Sequence, residues 1–531
     1  MGLYLNPNID NFLEAFNSTI YIDKSLVINE FNKRIGVNGK FICQSRARRF
    51  GKTMLQNMVC AYYTKGADAK EYFSKLKISK ELTEPKDIER YHKYMNNFNV
   101  IKLDFNGFWT KIKVTEKYIF FDKLFYTLKE EFEKEFPNIN FSKCDSVAEC
   151  IERVYADLQE HFIILIDEYD LFVREKVKPD MFQQYLDFLN SLFKNDAIKP
   201  AISLAYLTGI LPIVRDKIQS KLNNFDEYTM INAYPFEECI GFTKEEVKNL
   251  CKQYNLDEKE FKRWFDGYKI EDKELYNSNS VVQSILKRKF QCFWGQTGSF
   301  EAISDYLKFD FEGIREDVTQ LLSGREVAVN VSSFCNTLDK FETKDDVFTY
   351  LIHLGYLTYN SDEKTCYIPN LEVKEQWKNA IERMTNFGIV PQIIKESRNL
   401  IEATIHGEEK LVAESLERSH SLVMNNWQYN NEACFASAII LSYIAGYDYY
   451  TIFQELPTGK GYADLVFIPY KSSKPALIIE LKVDTVVETA INQIYDKKYN
   501  LHLEQYKGNM RFVGIAYNKE TKKHTCKIEE W

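Results

Sequence analysis

Four short apolar runs in the N-terminal part of the chain constrain its fold more than any other feature. The first starts at Phe41, and the others lie at Val100–Phe105, Phe162–Ile166 and Ile202–Leu207. Apolar residues at helical spacing fill the gaps between them. Because strands that alternate with helices usually form a parallel sheet covered on both faces, we expect such a sheet here.

The length of 531 residues exceeds what one hydrophobic core usually supports, so several domains are expected. We place an α/β domain at residues 1–235. Residues 236–418 carry charged amphipathic patterns and few strand signals, which predicts a mostly helical middle region. Residues 419–531 contain a long helical pattern, three strand-like runs and a polar helix around residues 489–499, which predicts a second α/β domain.

The composition is that of a folded globular protein, with 45% hydrophobic and 27% charged residues. A net charge of -8 would repel a polyanion at long range, so any contact with nucleic acid must come from local basic patches. Eleven cysteines, an odd number without paired metal-type spacing, indicate a reducing compartment. Since no signal peptide and no run of about 18 apolar residues is found, we expect no membrane span. The expected location is the cytoplasm, or the nucleus if the source is eukaryotic.

Two carboxylates and a lysine lie inside the apolar strands of the C-terminal domain. Asp464 opens one strand, and Glu480 and Lys482 are two residues apart on the next, so both point to the same face. If the two strands pair as a hairpin, Asp464 and Glu480 can share a divalent cation, with the carbonyl of Leu481 as a further oxygen ligand. Such a cation would polarise a phosphodiester and activate water, while Lys482 orients that water or stabilises the developing charge.

The alternative for so short a pattern is an ordinary hairpin with an exposed Glu–Lys pair. The apolar character of the strands favours the functional interpretation. Carboxylates and a lysine on a buried face cost free energy unless they pair or bind an ion.

A second motif, RARRFGKTM, lies after the first strand and before a helical pattern, as a phosphate-binding loop requires. Arg49 and Gly51 belong to this candidate ATP-binding loop, Lys52 would contact the β- and γ-phosphates, and Thr53 would bind Mg²⁺. The motif G-x-x-x-x-G-K-[ST] requires glycine where this chain has Arg46, so the match is incomplete.

The apolar strand FIILIDEYD supplies the second half of such a site. Asp167 would hold Mg²⁺ through water, and Glu168 would polarise the attacking water. Thr208, at the end of another apolar strand, would sense the γ-phosphate as in AAA-type ATPases, and Arg215 would act as a finger. The alternatives are a solvated strand end for the acids, a strand cap for Thr208 and a solvent-facing Arg215.

Taken together, these segments resemble a family that joins an AAA-ATPase-like domain to a C-terminal PD-(D/E)XK nuclease domain. The marks run nearly end to end and are YIDKS, RARRFGKT, LIDEYD, LTGILPI, SKLNNF, GFTKEEV, RWFDGY, LYNSNSV, HLGYLT, IPNLEV, GYADLVF, IIELKV and QIYDKKY. The missing first glycine of the loop is usual in that family. The departures are Ala47, where relatives carry proline, and the SNS of LYNSNSV, which we expect to affect packing only.

The resemblance implies a P-loop parallel sheet with flanking helices, a helical middle region and a C-terminal PD-(D/E)XK α/β core. It also implies that Glu432 completes the acidic cluster of the nuclease and that Gln493 and Tyr499 support its active face. The alternatives are a solvated helix position for Glu432 and packing or capping roles for Gln493 and Tyr499.

The sequence therefore predicts an ATP-binding, ATP-regulated nuclease that uses Mg²⁺ or Mn²⁺, with DNA favoured over RNA as the substrate. Nucleic acid is the expected partner, and formation of a homo-oligomer is left open. Two alternatives stand beside this prediction. One is a nucleotide-dependent switch that binds nucleic acid or protein without cutting, and the other is a signalling ATPase whose middle region recruits a partner.

Overall fold

Two compact units make up the chain. The first comprises Met1–Gln296 with Ala328–Glu372, and the second comprises Thr297–Val327 with Val373–Trp531. The predicted middle region 236–418 is divided between them, and the boundaries at residues 235 and 418 stay a prediction. The computed structural model describes residues 2–531 except 214–222, 295–299, 310, 335–340, 383, 385–389, 424–435, 437–438 and 459–460.

The first unit contains the predicted parallel sheet. Its strands follow the order β2-β3-β4-β1-β5, and every neighbouring pair is parallel. All four strands expected from the apolar runs are present, because a strand covered on both faces needs a nearly continuous apolar sequence. The strands are β1 (Phe41–Ser45), β2 (Asn99–Asp104), β3 (Phe162–Asp167), β4 (Ile202–Gly209) and β5 (Asp226–Tyr228).

Helices flank this sheet and supply the core with apolar side chains. In one core cluster, Ile164 and Leu207 of the sheet join Leu124 and Leu128 of the helix Phe120–Glu135. The helices around the sheet are Asp10–Phe16, Val27–Arg34, Lys52–Tyr63, Lys70–Phe73, Lys77–Lys80, Pro85–Tyr94, Phe105–Lys111, Phe120–Glu135, Val147–Leu158, Leu171–Arg174 and Pro179–Phe193.

The remainder of the first unit is mostly helical, as predicted for the middle region. One helix starts at Thr243, whose side chain forms a capping box with Glu246. The helices are Lys244–Tyr254, Glu258–Phe265, Ser278–Lys287 and Lys344–Leu354. Short strands form two small sheets, ordered β6-β8-β7 and β10-β11-β9. Their bounds are β6 (Phe242–Thr243), β7 (Tyr268–Ile270), β8 (Lys273–Tyr276), β9 (Val327–Ala328), β10 (Thr358–Asn360) and β11 (Thr365–Tyr367).

The second unit is built on a five-stranded mixed sheet in the order β12-β13-β14-β15-β16. Its neighbours are antiparallel except β14 and β15, which are parallel and are joined by the helix Val487–Asp496. The strands are β12 (Tyr450–Thr458), β13 (Gly461–Pro469), β14 (Ala476–Val483), β15 (Met510–Asn518) and β16 (Lys523–Glu530). The other helices are Phe300–Leu307, Ile314–Leu322, Leu371–Glu382, Val390–His406 and Glu409–Val423.

The two faces of β14 enter different cores. Leu477 and Ile479 pack in one cluster with Leu400 and Leu416, whereas Ile478 packs on the opposite face with Ile491 of the helix Val487–Asp496. Period two then places Glu480 and Lys482 on the face covered by that helix. Across the ranges that the structure describes, no helix is long and apolar enough to cross a bilayer.

Candidate nucleotide and nuclease sites

The candidate nucleotide-binding residues meet at the carboxyl edge of the parallel sheet. Register pairs Asp167 of β3 with Thr208 of β4, and Thr208 with Gln44 of β1. The loop that follows β1 therefore begins beside the ends of β3 and β4. Ligands of parallel α/β sheets bind at this edge.

The loop is anchored by a buried arginine where the motif requires glycine. Arg46 is 0% exposed, and its guanidinium donates to the carbonyls of Ser45 (3.1 Å), Thr229 (2.5 Å) and Phe236 (3.3 Å). The left-handed backbone positions come later, at Arg49 with φ 66° and Gly51 with φ 103°. The loop turns at these two residues, so glycine is not needed at position 46.

Lys52 opens the helix after the loop and folds back over it. Its amine donates to the carbonyls of Arg46 (2.9 Å) and Ala47 (3.0 Å). Burial lowers the pKa of this amine, and the nearby charges of Glu168 and Asp167 oppose the shift. A buried ammonium held by carbonyls that a phosphate oxygen could replace suits a polyphosphate ligand.

Two hydroxyl groups bind the carboxylate of Asp167. Thr53 Oγ1 donates to Asp167 Oδ2 and Thr208 Oγ1 donates to Asp167 Oδ1, each at 2.6 Å. Gln56 Nε2 in turn donates to Thr208 Oγ1 at 3.2 Å. The structure therefore brings together a hydroxyl and a carboxylate of the kind that bind Mg²⁺ beside a nucleotide. Sequence reasoning missed Gln56, although it lies one helical turn after Thr53.

The acids that follow Asp167 are held by Arg174, which sequence reasoning also missed. Glu168 has a left-handed backbone (φ 56°) and forms an ion pair with Arg174. Arg174 Nε also lies 3.1 Å from Asp170 Oδ2, which accepts from the amides of Ile210 (3.1 Å) and Leu211 (2.9 Å). Burial raises the pKa of Glu168, and the Arg174 charge opposes that shift. The sequence did contain a signal for this ion pair, because Arg174 lies four residues, about one helical turn, after Asp170.

In the second unit, β13 and β14 form the expected antiparallel pair, and the register Leu465↔Ile479 brings Asp464 beside Glu480. Asp464 Oδ2 accepts from the amide of Leu481 at 2.7 Å. The amine of Lys482 donates to Glu480 Oε1 at 2.9 Å and to the Leu481 carbonyl at 3.1 Å. Both carboxylates and the lysine thus lie in one cluster.

Glu480 fits the role of a metal ligand by its burial. The residue is 1% exposed, and its Oε2 is buried and has no hydrogen-bond partner among the residues that the structure describes. Burial and the charge of Asp464 raise the pKa of Glu480 to about 7, while Lys482 opposes the shift. An unpartnered carboxylate oxygen beside a second carboxylate is the arrangement that a hard divalent cation would satisfy. Among the described residues, no group of three or more Asp, Glu, His or Cys side chains is placed to hold a metal ion.

Gln493 and Tyr499 lie behind this cluster. Gln493 Nε2 donates to Glu480 Oε1, and it also lies 3.2 Å from the hydroxyl of Tyr499, to which it donates. The structure thus brings the two residues into contact with the carboxylate and lysine cluster. Glu432 and Arg215, the remaining predicted site residues, lie outside the described residues.

These features define a P-loop type sheet in the first unit and a mixed sheet carrying Asp, Glu and Lys in the second. Residues 8–219 match the family model described as a predicted AAA-ATPase, and residues 430–531 match that of the PD-(D/E)XK nuclease superfamily. The chain therefore joins an AAA-ATPase-like domain to a PD-(D/E)XK nuclease superfamily domain, which confirms the resemblance found in the sequence.

Other similarities are more distant. A relative described as an uncharacterized protein in the vnfD 5' region of Azotobacter chroococcum mcd 1 is 22% identical over 400 residues, which cover 70% of this chain and 72% of the relative. The replication initiator DnaA bound to AMPPCP and single-stranded DNA is 12% identical, with a TM-score of 0.25, 74% of this chain covered and 93% of that chain.

The Aeropyrum pernix ORC2 protein in ADPNP–ADP complexes is 11% identical, with a TM-score of 0.26, 67% of this chain covered and 93% of that chain. TM-scores this low do not establish a common fold for the whole chain.

Proposed function

We propose that this chain is a Mg²⁺- or Mn²⁺-dependent nuclease that hydrolyses phosphodiester bonds of DNA and whose activity is regulated by bound ATP. The observation that carries the nuclease proposal is the buried Oε2 of Glu480, which lies beside Asp464 and Lys482 and has no hydrogen-bond partner within the described part of the chain. A merely structural Glu–Lys pair would have no need of a carboxylate oxygen buried without a partner.

Each residue of the cluster has a distinct role in this proposal. Asp464 and Glu480 would hold the divalent cation, which when bound polarises the phosphoryl oxygen and lowers the pKa of water. Gln493 occupies Glu480 Oε1 and leaves Oε2 for the cation. Lys482 holds its ammonium against Glu480 and the Leu481 carbonyl, where it can donate to the attacking water or to the charge that develops on phosphate.

ATP binding is proposed for the edge of the parallel sheet. Lys52 would exchange its two loop carbonyls for phosphate oxygens, and Thr53 and Asp167 would bind Mg²⁺. Glu168 would orient the attacking water once Arg174 releases it. Thr208, which contacts Asp167, would report the state of the γ-phosphate. Homo-oligomer formation and a cytoplasmic location stay predictions.

The test is cleavage of linear, circular and single-stranded DNA with Mg²⁺ or Mn²⁺, with and without ATP. Lys482→Ala is expected to lower the cleavage rate by about 100-fold or more, the usual effect of removing one group that stabilises transition-state charge. Lys471→Ala is the matched control, because Lys471 is an exposed lysine in the turn between β13 and β14.

Equal rates for the two lysine variants would remove Lys482 from the mechanism. If the wild-type protein cuts none of these substrates and binds no Mn²⁺, the nuclease proposal fails. A nucleotide-dependent switch that binds without cutting would then replace it.

A further inference from the structure

One turn of the first unit donates hydrogen bonds to three consecutive carbonyls of the candidate ATP-binding loop. Asn277 Nδ2 donates to the carbonyl of Arg48 at 3.1 Å, and the amide of Asn279 donates to that of Arg49 at 3.2 Å. Ser278 Oγ donates to the carbonyl of Phe50 at 3.0 Å. We call residues 277–279 the clamp turn. It lies more than two hundred residues after the loop in the sequence.

The side chain of Asn277 is fixed at both ends. Its Oδ1 accepts from the amide of Ser280 at 3.1 Å and so caps the helix Ser278–Lys287, while its Nδ2 faces Arg48. The residue is 1% exposed. Because one end of the side-chain amide is occupied by the cap, the other end holds the loop carbonyl in one orientation.

Fixing these carbonyls also fixes the direction of the loop amides. A trans peptide is planar, and its carbonyl and amide point in opposite directions. The amides of Arg49, Phe50 and Gly51 therefore point away from the clamp turn. The left-handed backbone at Arg49 and Gly51 gives this run of amides, at the start of the helix Lys52–Tyr63, a pattern that in proteins commonly makes a concave anion-binding surface.

We propose that Asn277 and Ser278 are positioning residues for nucleotide: they set the shape of a loop that lacks the first glycine, so affinity for a polyphosphate depends on them. This inference rests on the proposed binding of ATP by the loop. The sequence suggested only a packing role for the SNS segment, whereas its hydrogen bonds reach the loop backbone directly.

The experiment measures binding of Mg·ATP, inorganic tripolyphosphate and adenosine to the full-length chain by titration calorimetry. Asn277→Asp and Asn277→Ser both keep an oxygen that can cap the helix, and both remove the donor to Arg48. Ser278→Ala removes the hydroxyl donor to the Phe50 carbonyl, which keeps its second hydrogen bond, from the Gly241 amide at 2.9 Å. Asn330→Asp is the matched control, because Asn330 caps the short helix Val331–Ser333 through Ser332.

Both Asn277 variants are expected to bind Mg·ATP and tripolyphosphate about tenfold more weakly, on the order of what the loss of one hydrogen bond that holds the loop costs. Ser278→Ala should likewise lower the affinity for Mg·ATP and for tripolyphosphate. Adenosine binding should match that of Asn330→Asp. The unfolding temperature without nucleotide should fall slightly in the Asn277 variants, because each loses one native hydrogen bond.

Three outcomes would overturn the inference. Weaker binding in Asn277→Asp alone would mean charge repulsion of phosphate. An equal loss for adenosine would mean general disruption of the unit, and unchanged affinity in Asn277→Ser and Ser278→Ala would mean that the clamp turn does not set the loop. If the wild-type chain binds neither Mg·ATP nor tripolyphosphate, the proposed nucleotide site itself fails.

Discussion

At the scale of single residues, the surroundings of Glu480 oppose the charge that a metal ligand needs. Burial and the neighbouring Asp464 raise its pKa to about 7, whereas Lys482 opposes this shift, and Gln493 donates a hydrogen bond to the carboxylate. A carboxylate kept in so unfavourable a place reduces the stability of the metal-free protein. Such a loss is typical of functional sites, where activity and stability compete.

Glu480→Gln is therefore expected to stabilise the metal-free protein above pH 7. The pKa of Glu480 in the folded protein, about 7, exceeds its ordinary value of 4.5. The stability that this carboxyl group contributes is therefore fully present below pH 4.5. It is lost as the pH rises towards 7. A neutral amide avoids that loss, which is on the order of 1–3 kcal/mol. Thermal unfolding in EDTA at pH 5, 6, 7 and 8 measures the effect.

Glu488→Gln serves as the control, because Glu488 is an exposed acid on the neighbouring helix. Its unfolding temperature should follow that of the wild type at every pH. Adding Mg²⁺ should raise the unfolding temperature of the wild type and leave that of Glu480→Gln unchanged, since only the wild type retains the Glu480 carboxylate that would bind the ion. If the stability gain of Glu480→Gln over the wild type does not grow between pH 5 and pH 8, ionisation of Glu480 does not destabilise the folded protein, in contradiction to this prediction.

Asp167→Asn tests the other candidate metal ligand. Mg²⁺ is expected to strengthen ATP binding to the wild type by about tenfold, as one charge-assisted contact would do. The variant should bind ATP with nearly the same affinity in Mg²⁺ and in EDTA, because Thr53 then lacks a carboxylate partner. Asp226 is an acid on β5 of the same sheet and supplies the control. In Asp226→Asn, Mg²⁺ should still strengthen ATP binding as it does in the wild type. Retention of the full effect in Asp167→Asn would remove this residue from the metal site.

At this scale, the sequence predicted residues that share one motif better than residues that meet across the chain. Asp464, Glu480 and Lys482 come together because alternation along a strand fixes their face, which the sequence states directly. From the sequence, Arg46 could be described only as a departure from the glycine of the motif. Two of its three carbonyl partners, Thr229 and Phe236, lie far along the chain. No periodicity encodes such a partner.

At the scale of elements, the nuclease cluster depends on close packing between β15 and the helix Val487–Asp496. Gly514 of β15 pairs with Glu480 of β14. A methyl group at Gly514 would lie 3.1 Å from Ala490 Cβ, Ile491 Cγ1 and the Val487 carbonyl oxygen. The absence of a side chain at this position lets the helix that carries Gln493 approach the sheet.

Gly514→Ala is accordingly expected to destabilise the protein by about 1–3 kcal/mol, the usual cost of overpacking. It should also weaken Mn²⁺ binding, because the displaced helix moves Gln493 away from Glu480. Thermal unfolding and Mn²⁺ titration measure the two effects. Gly461→Ala is the control, since its methyl group would meet Tyr499 at an ordinary 3.5 Å. Equal stability of the two variants would contradict this packing account.

The elements were predictable to different degrees for physical reasons. Four of the five parallel strands of the first unit were predicted, because their residues are mostly buried on both faces and form continuous apolar runs. The fifth, β5, has only three residues and was not predicted. The strands β6 to β11 contain only two to four residues each, too few to show a period, so the sequence predicted a mostly helical middle region with few strands. In the second unit, β15 and β16 were not predicted as strands. The parallel pairing of β14 with β15 could not follow from alternation in any case, because alternation is identical in parallel and antiparallel strands.

At the scale of the whole molecule, the proposed regulation requires that ATP and DNA binding influence each other. Thermodynamic linkage makes this influence reciprocal: if ATP changes the affinity for DNA by some factor, DNA changes the affinity for ATP by the same factor. The Lys482→Ala protein is suited to the measurement, because it should bind DNA without consuming it. Its candidate ATP site, which includes Lys52 and Asp167, is untouched.

We expect the Kd of Lys482→Ala for duplex DNA to change by roughly 5- to 150-fold when ATP is added, the range of typical coupling energies. The Kd for ATP should change by the same factor when DNA is added, and Lys52→Ala introduced into this protein should abolish both effects. Unequal factors would show that one ligand binds at a second place. If neither Kd changes, although both ligands bind, the two units act independently, and ATP does not regulate cleavage through DNA affinity.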